Sequence, residues 1–265
     1  MLIGNVFYFM YDLVKAIAKG KAYYYLGCIL QWETTIKFFV FNDSPFAPHM
    51  WYLGAELYVL LIVGMLEKIG LRKILLYITP LLLLGDLVLG KYSLLLLQRE
   101  FPYVLVRNWL FVGIPYFSIG SCIRTYSQTI KRHVKRNLVI LGCVALIAST
   151  WVERFILLHY GLNAMRDHYV STTFLAVLVF LLFLYYVNNS RNYISDIGKY
   201  NSTWIYILHY SLISVMGFVV ALTPIYDLYL LIRPIAVFLI TILVVKIPAL
   251  CFILKEHVKY KHEGN

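Results

Sequence analysis

Charged residues are scarce in this chain. Only 14% of its 265 residues are charged, 61% are hydrophobic, and the mean hydropathy is +0.75. Soluble globular domains carry about 25% charged residues, so this composition excludes an ordinary soluble protein. Acidic residues are the scarcest, with 13 Asp and Glu against 24 Lys and Arg. The basic residues lie in short clusters between apolar runs, which indicates orientation in a membrane and not binding to nucleic acid.

Cysteine is also rare, with only four residues. They lie within or at the ends of apolar runs, and no Cys-x-x-Cys pair or histidine at ligand spacing accompanies them. This pattern argues against a disulfide framework and against a zinc site. We expect the cysteines to act as small apolar side chains.

The sequence contains several long apolar runs. A helix of about 20 residues is needed to cross a hydrocarbon core about 30 Å thick. The sequence therefore predicts an all-α, polytopic membrane helix bundle forming a single domain, residues 1–265, with about eight spans: 23–41, 49–66, 74–90, 107–123, 137–157, 171–187, 203–222 and 230–252. The first span is weak because it carries Glu33 and Lys37, which neutralise each other at i,i+4 spacing. Residues 1–22 are expected to be a short remnant of a span or an interfacial segment.

The basic clusters also orient these helices. If the first span runs outward, most Lys and Arg residues lie in segments on one side of the membrane, as in the cluster from Lys131 to Arg136. Cytoplasmic loops are the ones enriched in Lys and Arg. We therefore predict that both termini of this multi-pass protein are cytoplasmic.

Ionisable groups inside spans call for a partner or a function. His209 shares a helix face with Ser202 and Tyr206, because these polar residues recur every three or four positions. His49 begins a span at the outer surface, and Glu56 lies on the same face about 10 Å deeper. A structural histidine that hydrogen-bonds a neighbouring helix explains His209 equally well.

Two further ionisable residues are expected to lie at the membrane surface. Asp86 lies near the end of a span, where we expect it to reach the interface as snorkelling side chains do. His168 flanks a predicted outer loop at poor spacing for a metal, so we expect a surface residue.

Three segments of the chain resemble signature segments of a known family. They are His49-Met-Trp-Tyr-Leu-Gly-Ala-Glu-Leu-Tyr, Arg107-Asn-Trp-Leu-Phe-Val-Gly-Ile-Pro-Tyr-Phe-Ser-Ile-Gly and Ile197-Gly-Lys-Tyr-Asn-Ser-Thr-Trp-Ile-Tyr-Ile-Leu-His. In order and approximate spacing they resemble the acyltransferase 3 family, polytopic O-acyltransferases of bacterial membranes that modify surface glycans. The resemblance covers about residues 23–254 and implies a location in the bacterial inner membrane.

One family motif is not found here. Members usually begin with a helix in which an Arg or Lys precedes, by about ten residues, the histidine taken to be catalytic. We therefore expect the family's N-terminal helices to be missing from this chain.

The resemblance implies transfer of an acyl group, with acetyl expected, from acyl-CoA to a glycan hydroxyl. Lys15 and Lys19 stand where the family has a basic inner loop that meets the acyl donor, and phosphates favour such residues. Ser202 and Tyr206 are assigned to the donor side, where they would orient His209. His209 itself would act as base or as a donor to the thioester oxygen.

The acceptor glycan is expected on the outer side, near His49, Trp51, Glu56 and Arg107. Trp51 can stack on a sugar ring, and the carboxylate of Glu56 can bind its hydroxyls. Glu56 and His209 are thus the catalytic candidates. No bound cofactor and no metal are expected, because acyl-CoA (acetyl-CoA) is a co-substrate. The predicted partners are membrane lipid, acyl-CoA and the glycan, with no nucleic acid.

Two other functions stay open. Spans broken by proline, as at Thr79-Pro80, suit a glycan or lipid transporter, although the sequence has no convincing internal repeat. A catalytically inactive, truncated relative that acts as an assembly partner also fits, because the catalytic histidine motif is not found. An interfacial aromatic belt would account for Trp51, and Arg107 would then anchor a helix end. The sequence specifies neither the acyl group, nor the acceptor glycan, nor the oligomeric state.

Overall fold

The computed structural model describes the backbone of residues 1–186 and 193–263 and the side chains of residues 1–186 and 195–246. Every regular element in these residues is a helix, which confirms the all-α class. The chain divides into two compact units, Met1–Val187 and Asn188–Asn265, and each is described by itself. The assignment of the whole chain to a single domain stays a prediction.

The first unit contains ten α-helices among its described residues: α1 (Leu2–Ala18), α2 (Ala22–Ile29), α3 (Trp32–Phe41), α4 (Trp51–Lys68), α5 (Ile74–Leu89), α6 (Ser93–Leu97), α7 (Ile114–Thr125), α8 (Ser127–His133), α9 (Arg136–His159) and α10 (Val170–Tyr186). A 3₁₀ turn, Pro48–Met50, leads into α4, and another, Tyr103–Leu105, follows α6. A π-helix, Trp109–Gly113, continues directly into α7. The second unit contains α11 (Tyr193–Val220) and α12 (Tyr226–Glu263).

Within the described residues, four helices are long and apolar enough to cross a membrane: Pro48–Lys68, Arg136–His159, Ser195–Ala221 and Tyr226–Lys246. They overlap the predicted spans 49–66, 137–157, 203–222 and 230–252. Two more helices, Ile74–Leu89 and Val170–Tyr186, are apolar but shorter. The end of the predicted span 171–187 lies outside the described residues. The apolar helices support a membrane protein, whereas the count of about eight spans is not confirmed.

The segment predicted as the first span, 23–41, is not one continuous helix. It forms α2 and α3, of 8 and 10 residues. At 1.5 Å per residue each is roughly half as long as the hydrocarbon core is thick, or less. The chain breaks where Gln31 takes an extended backbone with ψ 139°, and the Thr34 hydroxyl donates to the Cys28 carbonyl at 3.0 Å. The expected ion pair between Glu33 and Lys37 does form, at 2.7 Å.

Helices α4, α5 and α7 pack around a small apolar core: Val59, Val63, Leu75 and Ile114. Gly113 lets α4 and the π-helix approach closely, because a Cβ at this position would lie 2.7 Å from Cγ2 of Val59. Helices α9 and α10 form a second packed pair. The Thr150 hydroxyl of α9 donates to the Ser171 hydroxyl at the start of α10, at 2.9 Å.

Two asparagines hold the start of the π-helix. Asn108 caps it, since its side-chain oxygen accepts from two backbone N–H groups at 2.9 and 3.1 Å. The Asn42 oxygen accepts from the backbone N–H of Trp109 at 3.0 Å, and its amide donates to the Trp51 carbonyl at 2.7 Å. Asn42 has a left-handed φ of 55°, which asparagine tolerates better than most residues. Asn42 therefore ties the beginning of α4 to the beginning of the π-helix.

Candidate active site

A cavity of about 370 Å³ lies between α4 on one side and the π-helix and α7 on the other. Trp51, Tyr52 and Glu56 line the α4 wall, and Tyr116 and Phe117 line the α7 wall. The volume is within the range of small-molecule binding sites, which combine apolar and aromatic walls with a few polar groups. Glu56 brings a carboxylate to an otherwise aromatic and aliphatic lining, and its side chain is exposed.

Beside this cavity, polar residues from three segments converge in what we call the charged pocket: Asp86, Lys91, Tyr103, Arg107, Arg166, Asp167 and His168. Asp86 comes from the end of α5 and His168 from the connection between α9 and α10. The free volume in the charged pocket is about 10 Å³, close to the space that one water needs. A ligand larger than water therefore fits the cavity and not the charged pocket.

An aspartate–histidine pair forms the centre of the charged pocket. Nδ1 of His168 lies 2.7 Å from Oδ2 of Asp86. The Asp86 side chain is 4% exposed and that of His168 is 30% exposed. The expectations for both residues were wrong: Asp86 is buried against a partner and does not snorkel, and His168 is not a simple surface residue. An aspartate is too short to reach water as lysine does, so burial requires a donor close by.

The pKa of His168 is raised above its ordinary value of 6.5. Burial by itself lowers this pKa, because desolvation disfavours the imidazolium. The hydrogen bond to Asp86 and the negative charges of Asp86 and Asp167 favour the imidazolium, and together they outweigh the burial and the positive charge of Arg107. His168 therefore binds a proton more readily than an isolated histidine does.

Arg107 lies between the charged pocket and the cavity. Its guanidinium is 4.2 Å from the centre of the Tyr103 ring and 5.5 Å from that of Trp51, which lines the cavity. It also donates to the Pro48 carbonyl at 3.4 Å, next to the start of α4. The Tyr103 hydroxyl in turn donates to Asp167. These contacts link Arg107, which lies two residues before the π-helix, to the α4 wall of the cavity and to the charged pocket.

Lys91 fixes the connection that carries His168. Its ammonium donates to Oδ1 of Asn163 at 3.0 Å and to the Ala164 carbonyl at 2.8 Å, and it lies 4.4 Å from the centre of the Tyr169 ring. Lys91 is 3% exposed, and desolvation lowers its pKa. These contacts, made by a fully enclosed ammonium, give Lys91 a positioning role in this part of the fold.

The acceptor-side residues predicted from the sequence divide into two groups. Trp51, Glu56 and Arg107 lie around the cavity. His49 lies at the start of α4, where its ring meets the edge of Tyr8 at 5.1 Å between centroids. The structure thus brings the first three together, while His49 contacts α1.

The donor-side residues predicted in the first unit lie at the end of α1. Lys15 and Lys19 are exposed, and the Lys15 ammonium is 4.4 Å from the centre of the Tyr11 ring. Their exposure leaves both ammonium groups accessible to an anion.

Ser202, Tyr206 and His209 lie on α11 of the second unit. Nδ1 of His209 is 2.6 Å from the Tyr206 carbonyl, so Nδ1 donates this hydrogen bond. The Tyr206 and His209 rings are 5.6 Å apart between centroids, so these two residues do contact each other. Ser202 is exposed one turn earlier.

The residues around the cavity suit transfer chemistry. An imidazole held by a carboxylate can accept a proton, and arginine can stabilise developing negative charge.

Among the described side chains, no three His, Cys, Asp or Glu residues cluster so as to hold a metal ion. The sequence signal for the pair was Asp86 itself, an ionisable residue in an apolar helix whose partner lies 82 positions away.

Comparison with known proteins gives one match. The family model described as an acyltransferase domain, that of the acyltransferase 3 family, matches residues 2–253. The matched range includes all three segments on which the sequence resemblance rests. No curated protein and no solved structure matched the chain.

Proposed function

The chain belongs to the acyltransferase 3 family, and from this premise we propose that it is a membrane-bound O-acyltransferase acting on a cell-surface or exported glycan. The family match and the apolar helices support a membrane transferase. Acyl-CoA is the proposed donor, with acetyl the expected acyl group, and a sugar hydroxyl is the acceptor.

The observation that carries this proposal is the meeting of two family segments around one cavity. The segment that begins at His49 supplies Trp51, Tyr52 and Glu56, and the segment that begins at Arg107 supplies Tyr116. These segments are far apart in the sequence, yet their side chains line opposite walls of a space of about 370 Å³. A tryptophan, two tyrosines and a carboxylate are suited to stacking on a sugar and binding its hydroxyls.

The proposed reaction balances without a bound cofactor. The acceptor oxygen attacks the thioester carbonyl carbon, the carbon–sulfur bond breaks, and the hydroxyl proton is passed through a base to the departing thiolate. Glu56 binds acceptor hydroxyls in the cavity. Lys15 and Lys19 attract the phosphates of the donor, and His209, oriented by Tyr206 and Ser202, acts on the thioester side.

We further propose that the protein lies in a bacterial inner membrane with both termini in the cytoplasm. The donor would then arrive from the cytoplasm and the acceptor from the opposite side. The distribution of Lys and Arg along the sequence supports this orientation.

A direct test measures acetyl transfer by the purified protein in liposomes. The donor is [¹⁴C]acetyl-CoA. The acceptor is envelope glycan from the bacterium that naturally encodes the protein, and mild alkali first removes the esters that it already carries. We expect alkali-labile label in the glycan and release of free coenzyme A. Glu56→Gln should reduce the transfer at least about tenfold, because the cavity loses its carboxylate.

Glu67→Gln is the matched control, since Glu67 is an exposed carboxylate on the same helix that pairs with Arg72 at 3.0 Å. A surface pair of this kind contributes little, so its loss should leave transfer unchanged. Acetyl-CoA binding without any transfer would identify an inactive relative instead. Movement of glycan across the liposome membrane without a donor would identify a transporter.

A further inference from the structure

We infer that His168, held by Asp86, is the general base that removes the proton from the acceptor hydroxyl. This inference rests on the proposed function and adds a catalytic residue to it.

The geometry of the pair selects one nitrogen for catalysis. With Nδ1 2.7 Å from the buried carboxylate, the neutral imidazole carries its proton on Nδ1 and its lone pair on Nε2. The same arrangement of carboxylate, imidazole and reacting hydroxyl operates in hydrolase triads, where the carboxylate fixes the tautomer and stabilises the imidazolium. The His168 side chain keeps 30% exposure, so its ring is not sealed inside the protein as Asp86 is.

The position of His168 places the imidazole one aromatic ring from the cavity. Tyr116 lines the cavity and meets the His168 ring edge to face, at 6.2 Å between centroids. Since the charged pocket has room for about one water, we place that water between Nε2 and an acceptor hydroxyl bound beside Tyr116, because general bases act either directly or across one water.

The charges around His168 support a transient imidazolium. Asp86 of α5 and Asp167 of its own connection favour the protonated ring. Lys91, Arg107 and Arg166 also line the charged pocket, with Tyr103 between the arginines. The positive charge of Arg107 disfavours the imidazolium, but it does not outweigh the two aspartates. Because Arg107 lies 5.5 Å from the Trp51 ring, it is placed to offset negative charge that develops in the cavity.

The proton balance of the step is simple. The acceptor hydroxyl gives its proton through the water to Nε2 of His168 while its oxygen forms the bond to the thioester carbon. When the carbon–sulfur bond breaks, the imidazolium returns the proton to the thiolate through solvent. Asp86 acts as a positioning residue for the imidazole throughout the step.

The first test compares His168→Gln with His159→Gln in the liposome assay with [¹⁴C]acetyl-CoA. His159 is the matched control, because it is exposed and lies at the other end of the same connection. Among the described residues its ring packs against Phe155 and Tyr160, and its side chain makes no hydrogen bond or ion pair. We expect His168→Gln to lower kcat by about 10²- to 10⁴-fold with an unchanged KM for acetyl-CoA, and His159→Gln to match the wild type. Equal activity of the two variants would overturn the inference while leaving the proposed function in place.

The second test is the pH profile of Asp86→Asn, which keeps the imidazole and the shape of its partner. The wild-type rate should fall as the pH drops through a value above 6.5, because the base must be unprotonated. Without the charge of Asp86 the pKa of His168 falls, so this acidic limb should move to lower pH. The groups that face His168 and also titrate or carry charge are Lys91, Tyr103, Arg107, Tyr116, Arg166 and Asp167.

An acidic limb that stays in place in Asp86→Asn would show that the pair is structural and would overturn the inference, even if His168→Gln were inactive through misfolding. A wild-type protein that binds acetyl-CoA but transfers nothing to the glycan would reject both the proposed function and this inference. Loss of rate in His168→Gln together with the moved limb would support both.

Discussion

Removing the cap of the π-helix should destabilise the whole site. Asn108 is 2% exposed, and its oxygen accepts from the N–H groups of Leu110 and Phe111. Its amide also donates to the carbonyls of Val104 and Leu105, at 3.0 and 2.9 Å. Loss of an N-cap costs about 1 kcal/mol, and each partly buried carbonyl left without its donor costs about 1 kcal/mol. We therefore expect Asn108→Ala to lower the free energy of unfolding by about 3 kcal/mol.

A loss of this size corresponds to a melting temperature about 6–12 °C lower for a chain of this length, at about 2–4 °C per kcal/mol. Intrinsic tryptophan fluorescence during a thermal scan in detergent would measure it. The control is Asn137→Ala, since Asn137 is exposed on α9 and such surface changes cost less than about 0.5 kcal/mol. If the two variants melted together, the four hydrogen bonds of Asn108 would not contribute as reasoned.

Three further predictions use the same preparations. Gly113→Ala would place a Cβ 2.7 Å from Cγ2 of Val59. Because overpacking costs about 1–3 kcal/mol, the melting temperature of this variant should be several degrees lower. An unchanged melting temperature would contradict the close contact between α4 and the π-helix. Arg107→Lys keeps the charge but loses the planar group 5.5 Å from Trp51, a contact worth about 0.5–1 kcal/mol, so the KM for glycan should rise about two- to fivefold while that for acetyl-CoA stays constant. The pKa of His168 is raised in the folded protein, so its ion pair with Asp86 stabilises the fold fully below pH 6.5, and this stabilisation is lost as the pH rises through the folded pKa. His168→Gln should therefore lower the melting temperature more at pH 6 than at pH 9. A difference that does not depend on pH would refute this.

Part of the candidate site could be predicted from the sequence. Trp51, Glu56 and Arg107 were selected from sequence segments alone, and the structure places them around one cavity. Their roles in binding stay predictions. His168 and Asp86 could not be paired in advance, because no local pattern joins residues 82 positions apart. A short acidic side chain in an apolar helix nevertheless demands a buried partner, and that physical rule was the available signal.

The sequence by itself determined that this is a membrane protein, that it is helical, and which family it belongs to. Apolar run length and the spacing of Glu33 and Lys37 are local properties, and helices form through local hydrogen bonds. Only the tertiary structure decided which polar groups meet. The Lys91 ammonium donates to Asn163, 72 positions away, and Asn42 joins the start of α4 to the start of the π-helix. Buried polar groups must be satisfied wherever the fold brings them together, so their partners follow from packing and not from sequence spacing.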